Sequence, residues 1–270
     1  MPELPEVETT VKSLNILKNK KVMNLNIYTK KLRYPLPHIK LKKIIKSEII
    51  NLRRISKFVI IDFSNFYTLI IHLGMSGRLK ISKNYTTRKK HDHISIKFNN
   101  NSYLIFNDPR KFGFVDLVRS DKIYSLRYIN KLGIDALDKK LSVEFLYKKI
   151  KKSEVPIKQI LLNQHIVAGI GNIYASEILF DAKISPLKKG NTLNMYQIGT
   201  IIKSIRKILK KAVESGGSSI NDYVSPDGIL GNFQNNFKVY GKEGLLVKGF
   251  VIKKVVLYGR STFFCPEIQK

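Results

Sequence analysis

The chain has almost no cysteine: its single Cys265 excludes an intramolecular disulfide framework and fits a reducing compartment. It also lacks any apolar run near the roughly 18 residues of a membrane span, so no membrane partner is expected. The opening Met1-Pro2-Glu3-Leu4-Pro5-Glu6 is acidic and proline-punctuated, without the basic and apolar stretches of a secretory signal. Together these absences lead us to expect a soluble, cytoplasmic protein. Internal repeats and long low-complexity tracts are missing as well. Acidic residues are scarce: 20 Asp and Glu stand against 49 Lys and Arg, a formal net charge of +29. That excess is far beyond what solubility needs and asks for a polyanionic partner. Nucleic acid is favoured over a membrane surface. A genome bias that inflates Lys, Asn and Ile would raise the charge too, so charge alone leaves the partner open.

At 270 residues the chain suits about two domains of roughly 100 to 200 residues each. After Pro5, the spacing of Val7, Val11 and Leu14 predicts an amphipathic helix close to the N-terminus. Short β-branched and aromatic runs follow at Phe58 to Phe63, Thr68 to Leu73, His93 to Phe98, Tyr103 to Phe106 and Phe114 to Val118. Turn residues such as Asn99, Asn100 and Asn101 separate them, which predicts antiparallel strands. From about Leu141 the period becomes helical: Val143 to Lys151, Pro156 to Asn163, Asn172 to Phe180 and Leu193 to Glu214. In the last, Ile198, Ile201, Ile205, Ile208 and Ala212 form an apolar stripe. Gly216 and Gly217 break it, and Val251 to Leu257 with Ser261 to Phe264 reads as a terminal hairpin turning at Tyr258-Gly259. The fold class is therefore α+β, an antiparallel β domain with a leading helix followed by a helical domain and a C-terminal β-hairpin. The expected boundaries are residues 1–125, 126–235 and 236–270.

Removal of Met1 before Pro2 would expose a secondary amine, the group that forms an iminium with a ring-opened sugar aldehyde. A terminal α-amine has a reference pKa near 8 against about 10.4 for lysine, so more of it is neutral and nucleophilic at pH 7. Glu3 and Glu6 put carboxylates beside it that can donate or relay a proton. The competing reading is an ordinary helix start with proline and glutamate in its first turn, and six residues alone do not decide.

The segments Met1 to Glu8, His72-Leu73-Gly74-Met75-Ser76-Gly77, His91-Asp92-His93, Asp108 to Gly113, Ala168 to Ala175, Val239-Tyr240-Gly241 and Gly259-Arg260-Ser261-Thr262 occur in one order along the chain. In that order they resemble bacterial formamidopyrimidine-DNA glycosylase, a base-excision repair glycosylase and abasic-site lyase. The resemblance implies an N-terminal β-sandwich, a helix-two-turn-helix domain and a finger hairpin. It implies that Pro2 attacks C1′ of an oxidised purine nucleotide, that Glu3 protonates the sugar ring oxygen, and that Lys57 contacts phosphate and assists elimination, with Glu6 in support. Successive β- and δ-elimination then leave a one-nucleoside gap. Met75, Arg110 and Phe112 match the wedge that fills the space left by an extruded base. His91, Lys158, Gly171 and Asn172 match contacts to the DNA backbone, and Arg260 matches a finger arginine that grips the phosphates beside the lesion. Taken singly, Lys57 is one lysine among dozens, and Met75 and Phe112 read more simply as core residues.

Two departures stand out. The family holds zinc through two Cys-x2-Cys pairs, whereas the matching positions here are Val247, Phe250, Cys265 and Ile268. Tetrahedral zinc needs four donors, and all five histidines precede Lys183. A small apolar core is expected to replace the metal, giving a zincless finger with no cofactor. Asn221 stands where a basic residue usually precedes Asp222 in the loop over the extruded base. Two rival readings remain: an endonuclease VIII-like enzyme for oxidised pyrimidines, against which Leu4 speaks, and a non-catalytic DNA binder, against which Pro2, Glu3, Lys57 and Arg260 speak. The expected partner is double-stranded DNA with oxidised bases or abasic sites, bound by a monomer.

Overall fold

Pro5 lies in the first turn of helix α1 (Leu4–Leu14), where its fixed φ suits the helix and its missing N–H costs nothing. Leu4, Val7, Val11 and Leu14 turn one buried face inward. The computed structural model describes residues 1–219 and 225–270; Asn221 falls outside the described residues. The chain forms two compact units, one of Met1–Asn130 with Ser215–Gln234, the other of Lys131–Glu214 with Asn235–Lys270.

After α1, the first unit contains β1 (Val22–Ile27), α2 (His38–Leu41), β2 (Ile49–Ile55), β3 (Phe58–Phe63), β4 (Tyr67–His72), β5 (Arg78–Ser82), β6 (Asp92–Phe98), β7 (Tyr103–Asn107), β8 (Phe114–Arg119) and α3 (Arg127–Asn130). The strands form two four-stranded sheets, ordered β1-β6-β7-β5 and β2-β3-β4-β8, with antiparallel pairing throughout. Leu25, Ile94, Ile96 and Phe106 of one sheet share a buried cluster with Ile49, Val59, Ile61 and Leu69 of the other, which makes this unit a sandwich. β1, β2 and β5 add to the expected strands. Register shifts between Val22 and Asn24 and between Ile49 and Asn51 break the two-residue alternation by which such strands are read.

The second unit contains β9 (Ile134–Asp135), α4 (Val143–Ile150), α5 (Ile157–Leu162), β10 (Val167–Ala168), α6 (Asn172–Asp181), α7 (Met195–Glu214), β11 (Leu246–Val247), β12 (Phe250–Val251), β13 (Lys253–Leu257) and β14 (Arg260–Phe264). Ser142 caps α4 by accepting the Phe145 N–H. The buried stripe of α7 runs through Leu209 rather than the expected Ile208. Both turn residues between β13 and β14, Tyr258 and Gly259, have positive φ, as a two-residue type I′ hairpin requires.

Each unit is built from two segments of the chain. After α7 the chain returns to the first unit, where Ser218 hydrogen-bonds Glu6 and the Ile81 N–H donates to Pro226 O. The last segment joins the second unit by a core of Phe180, Val239, Ile252 and Cys265. Residues 215–234 thus belong to the first unit and residues 235–270 to the second.

Candidate active site

The N-terminal turn is built around a reciprocal cap. The Glu3 side chain accepts from the Glu6 backbone and the Glu6 side chain accepts from the Glu3 backbone, satisfying two N–H groups that a helix start leaves unpaired. Glu3 and Glu6 are each 2% exposed, and Pro2 is buried beside them while Met1 is exposed. The Glu3 N–H reaches Glu6 Oε2 at 2.8 Å, and Glu6 Oε1 accepts from the Ser218 N–H at 2.8 Å and from Ser218 Oγ at 3.0 Å. Gly217 approaches so closely that an added Cβ would lie 3.1 Å from Glu6 Cγ and Oε1.

Lys57 sits in the Ser56-Lys57 turn between β2 and β3, where Ser56 has φ 53°. It is largely buried, and its neighbour across the strand pair is His72, which faces Phe58 in the register. The His72 ring packs against both Phe58 and Phe114, with centroids at 5.1 and 5.6 Å. Loss of hydration, then the cations of Lys57 and Arg33, push its pKa down from 6.5 to about 4. The neutral ring accepts the Gly74 N–H at Nδ1, 3.0 Å away, so its own proton resides on Nε2.

Two loops project large side chains into solvent. Met75 and Phe112 are 40% and 43% exposed, and the Arg110 guanidinium lies 4.8 Å from the Phe112 ring centroid. His91, half-buried with φ 71°, accepts the Asp108 N–H at its carbonyl.

In the second unit the hairpin turn is gripped from behind. Lys158, matched to the DNA backbone by resemblance, is 0% exposed and donates to Ser261 O at 3.0 Å and Thr262 Oγ1 at 2.8 Å. Through these bonds it holds the strand that starts at Arg260. Asn172 Nδ2 donates to the same carbonyl at 3.0 Å, and Gln159 Nε2 to Leu257 O at 3.1 Å. Arg260 itself is exposed. Gly171 is the N-cap of α6.

At the positions where zinc would be held, Val247 and Ile268 pack against the Cys265 core, whereas Phe250 stays 46% exposed. These side chains carry no donor, and among the described residues no three His, Cys, Asp or Glu side chains gather to hold a metal. The residues present do not fit zinc. Sequence reasoning passed over Ser218, His72 and Asp108. His72 and Asp108 carried a signal, their places in the same short motifs as Met75 and as Arg110 and Phe112.

Buried carboxylates beside Pro2, with exposed Met75, Arg110 and Phe112 on the same unit, suit a DNA glycosylase. The formamidopyrimidine-DNA glycosylase N-terminal domain matches residues 1–115, and the formamidopyrimidine-DNA glycosylase H2TH domain matches residues 132–224. Formamidopyrimidine-DNA glycosylase of Zymomonas mobilis is 44% identical over all of both chains, and that of Rickettsia africae is 42% identical over 100% of this chain and 99% of its own. A Lactococcus lactis Fpg mutant complexed with Fapy-dG containing DNA superposes with a TM-score of 0.92 at 35% identity over all of both chains. Another complex of that enzyme, with abasic-site DNA, gives 0.91 at 35% identity over 99% of each chain. The chain belongs to the formamidopyrimidine-DNA glycosylase family, base-excision repair enzymes that combine glycosylase and abasic-site lyase activity.

The depressed His72 pKa gives a direct check. Because the folded value lies below the ordinary one, His72 contributes stability that is fully present above about pH 6.5 and lost as the pH falls toward 4. We expect its ring resonances in an NMR titration to move with a midpoint near 4 and Lys57→Met to raise that midpoint. A midpoint near 6.5 would contradict the burial of the ring, and an unchanged midpoint in Lys57→Met would remove the Lys57 cation from its causes.

Proposed function

We propose that the Pro2 amine of the Met1-processed enzyme attacks C1′ of 8-oxoguanine opposite cytosine, or of a formamidopyrimidine nucleotide. As the new N–C1′ bond forms, the base leaves with the glycosidic electron pair. The departing base takes up the proton that the ammonium nitrogen loses; the freed nitrogen lone pair then expels the ring oxygen, which takes a proton from Glu3, and an enzyme–DNA iminium remains. The iminium acidifies the C2′ proton, so the 3′ phosphate leaves by β-elimination and the 5′ phosphate by δ-elimination. Lys57 assists these eliminations from the phosphate side. Met75, Arg110 and Phe112 fill the vacated stack and lower the cost of unstacking, a few kcal/mol, while the guanidinium hydrogen-bonds the orphaned base. Gly171 and Asn172 lie along the DNA backbone, His91 contacts phosphate, and Arg260 grips phosphates beside the lesion bidentately.

The observation that carries this reading is the burial of Pro2, Glu3 and Glu6 in one hydrogen-bonded turn, which an ordinary exposed helix start does not need. An oxidised-pyrimidine substrate keeps some support, since the Lactococcus lactis enzyme has also been crystallised with oxidised-pyrimidine DNA; Leu4 favours the purine. The protein acts on double-stranded DNA as a cytoplasmic monomer, and no helix of the described residues is long and apolar enough to cross a membrane.

Borohydride added during reaction with an 8-oxoguanine:cytosine duplex should trap a covalent species whose peptide map places the link at Pro2. Protein with Met1 retained should give none. A link through any lysine would overturn the assignment.

The finger is metal-free in this reading, held by the Cys265 core and the Lys158 grip. Purified protein should contain well below one zinc per chain and keep its activity in strong chelator; stoichiometric zinc whose removal abolishes activity would contradict it.

A further inference from the structure

The loops bearing Met75 and the Arg110–Phe112 pair share one buried carboxylate. Asp108 is 0% exposed and Ser76 3% exposed. Ser76 Oγ donates to Asp108 Oδ1 at 2.6 Å, and the Arg110 N–H reaches both Ser76 Oγ at 3.2 Å and Asp108 Oδ1 at 3.3 Å. The other oxygen, Oδ2, accepts the Gly113 N–H at 2.8 Å. Asp108 thus fixes the backbone on both sides of Lys111-Phe112 and, through Ser76, the residue after Met75. Its own N–H donates to His91 O, and its carbonyl is bonded by His93 Nε2 at 2.8 Å. The loops also touch directly: at Gly74, with φ 66°, an added Cβ would lie 2.4 Å from Phe112 C and Gly113 N. No cation appears in these bonds. A carboxylate buried this way is stabilised by the N–H and O–H groups it organises, and each such charge-assisted bond costs much if a partner is removed.

We propose that Asp108 and Ser76 are positioning residues that lock the two loops into one rigid wedge, so that Met75, Arg110 and Phe112 enter the duplex together. This rests on the wedge role given to those three side chains above. Separate mobile loops would each lose side-chain and backbone entropy on insertion; the bracket removes that loss before DNA binds. The cost of loosening it falls on extrusion of a stacked base and leaves the amine chemistry at Pro2 intact.

The chain contains no tryptophan, so Phe112→Trp installs a single fluorophore on the wedge. In that background Asp108→Asn and Ser76→Ala should each increase fast depolarisation in the time-resolved anisotropy of the free enzyme. In the otherwise unaltered enzyme the same two variants should slow single-turnover 8-oxoguanine excision from a duplex by about 10- to 100-fold. Borohydride trapping at a preformed abasic site should stay within about threefold. Because both substitutions break one bond, the double variant should be little slower than the slower single one. Ser76→Ala keeps the test open if Asp108→Asn folds poorly. Unchanged anisotropy in both variants would overturn the bracket. Raised mobility with undiminished excision would overturn its role in extrusion. Phe112→Ala alone judges the underlying wedge reading, because it should slow excision whether or not the loops are coupled.

Discussion

Both oxygens of the buried Glu6 carboxylate are committed, Oε2 to the Glu3 N–H and Oε1 to the N–H and hydroxyl of Ser218. A residue six positions from the N-terminus is thereby tied to one that returns to the same unit after the long helix α7. Chain ends ordinarily fray, and a nucleophile at the end of a chain is useful only when its amine is held still. The constraint on Glu6 therefore comes before the chemistry assigned to Pro2 and Glu3. It also explains the interleaved units, since residues 215–234 carry the partner that Glu6 needs.

The same device recurs. Asp108 organises the exposed loops of the first unit, and Glu177 on α6 accepts the N–H groups of Lys238, Val239 and Tyr240 in the second. Burial pushes the Glu177 pKa up, and those three donors oppose it. Of the 20 acidic residues, Glu6, Asp108 and Glu177 are buried and take most of their hydrogen bonds from backbone N–H groups. Isolated buried charges are costly, and donors aimed from the main chain offset that cost. Pairing them with donors of the main chain leaves exposed cations such as Arg110 and Arg260 for an external polyanion. Lys158 is the counter-example, a buried cation satisfied by a carbonyl and a hydroxyl.

Legibility in the sequence followed the range of the interactions. α1, β3 and the helices α4 to α7 were readable because a periodic apolar face is a local property, and the Tyr258-Gly259 turn because its residue types suit positive φ. β1 and β2 were not, since register shifts interrupt their alternation. The ordered motifs identified the family. The grip of Lys158 on the hairpin was not legible, because its partners lie about a hundred positions away at Ser261 and Thr262. Ser218 and Asp108 were overlooked for the same reason, because the side chains that give them their roles, Glu6 and Ser76, lie 212 and 32 positions away.

The claim that the Glu6 carboxylate holds the nucleophile is tested most directly by Glu6→Gln in Met1-processed enzyme. The amide keeps the size but turns one acceptor into a donor, so either the Glu3 N–H or Ser218 must face another N–H. Single-turnover borohydride trapping on an abasic-site duplex should slow by at least about tenfold while the cooperative unfolding transition is retained. Trapping at the unaltered rate in a folded Glu6→Gln enzyme would contradict the account.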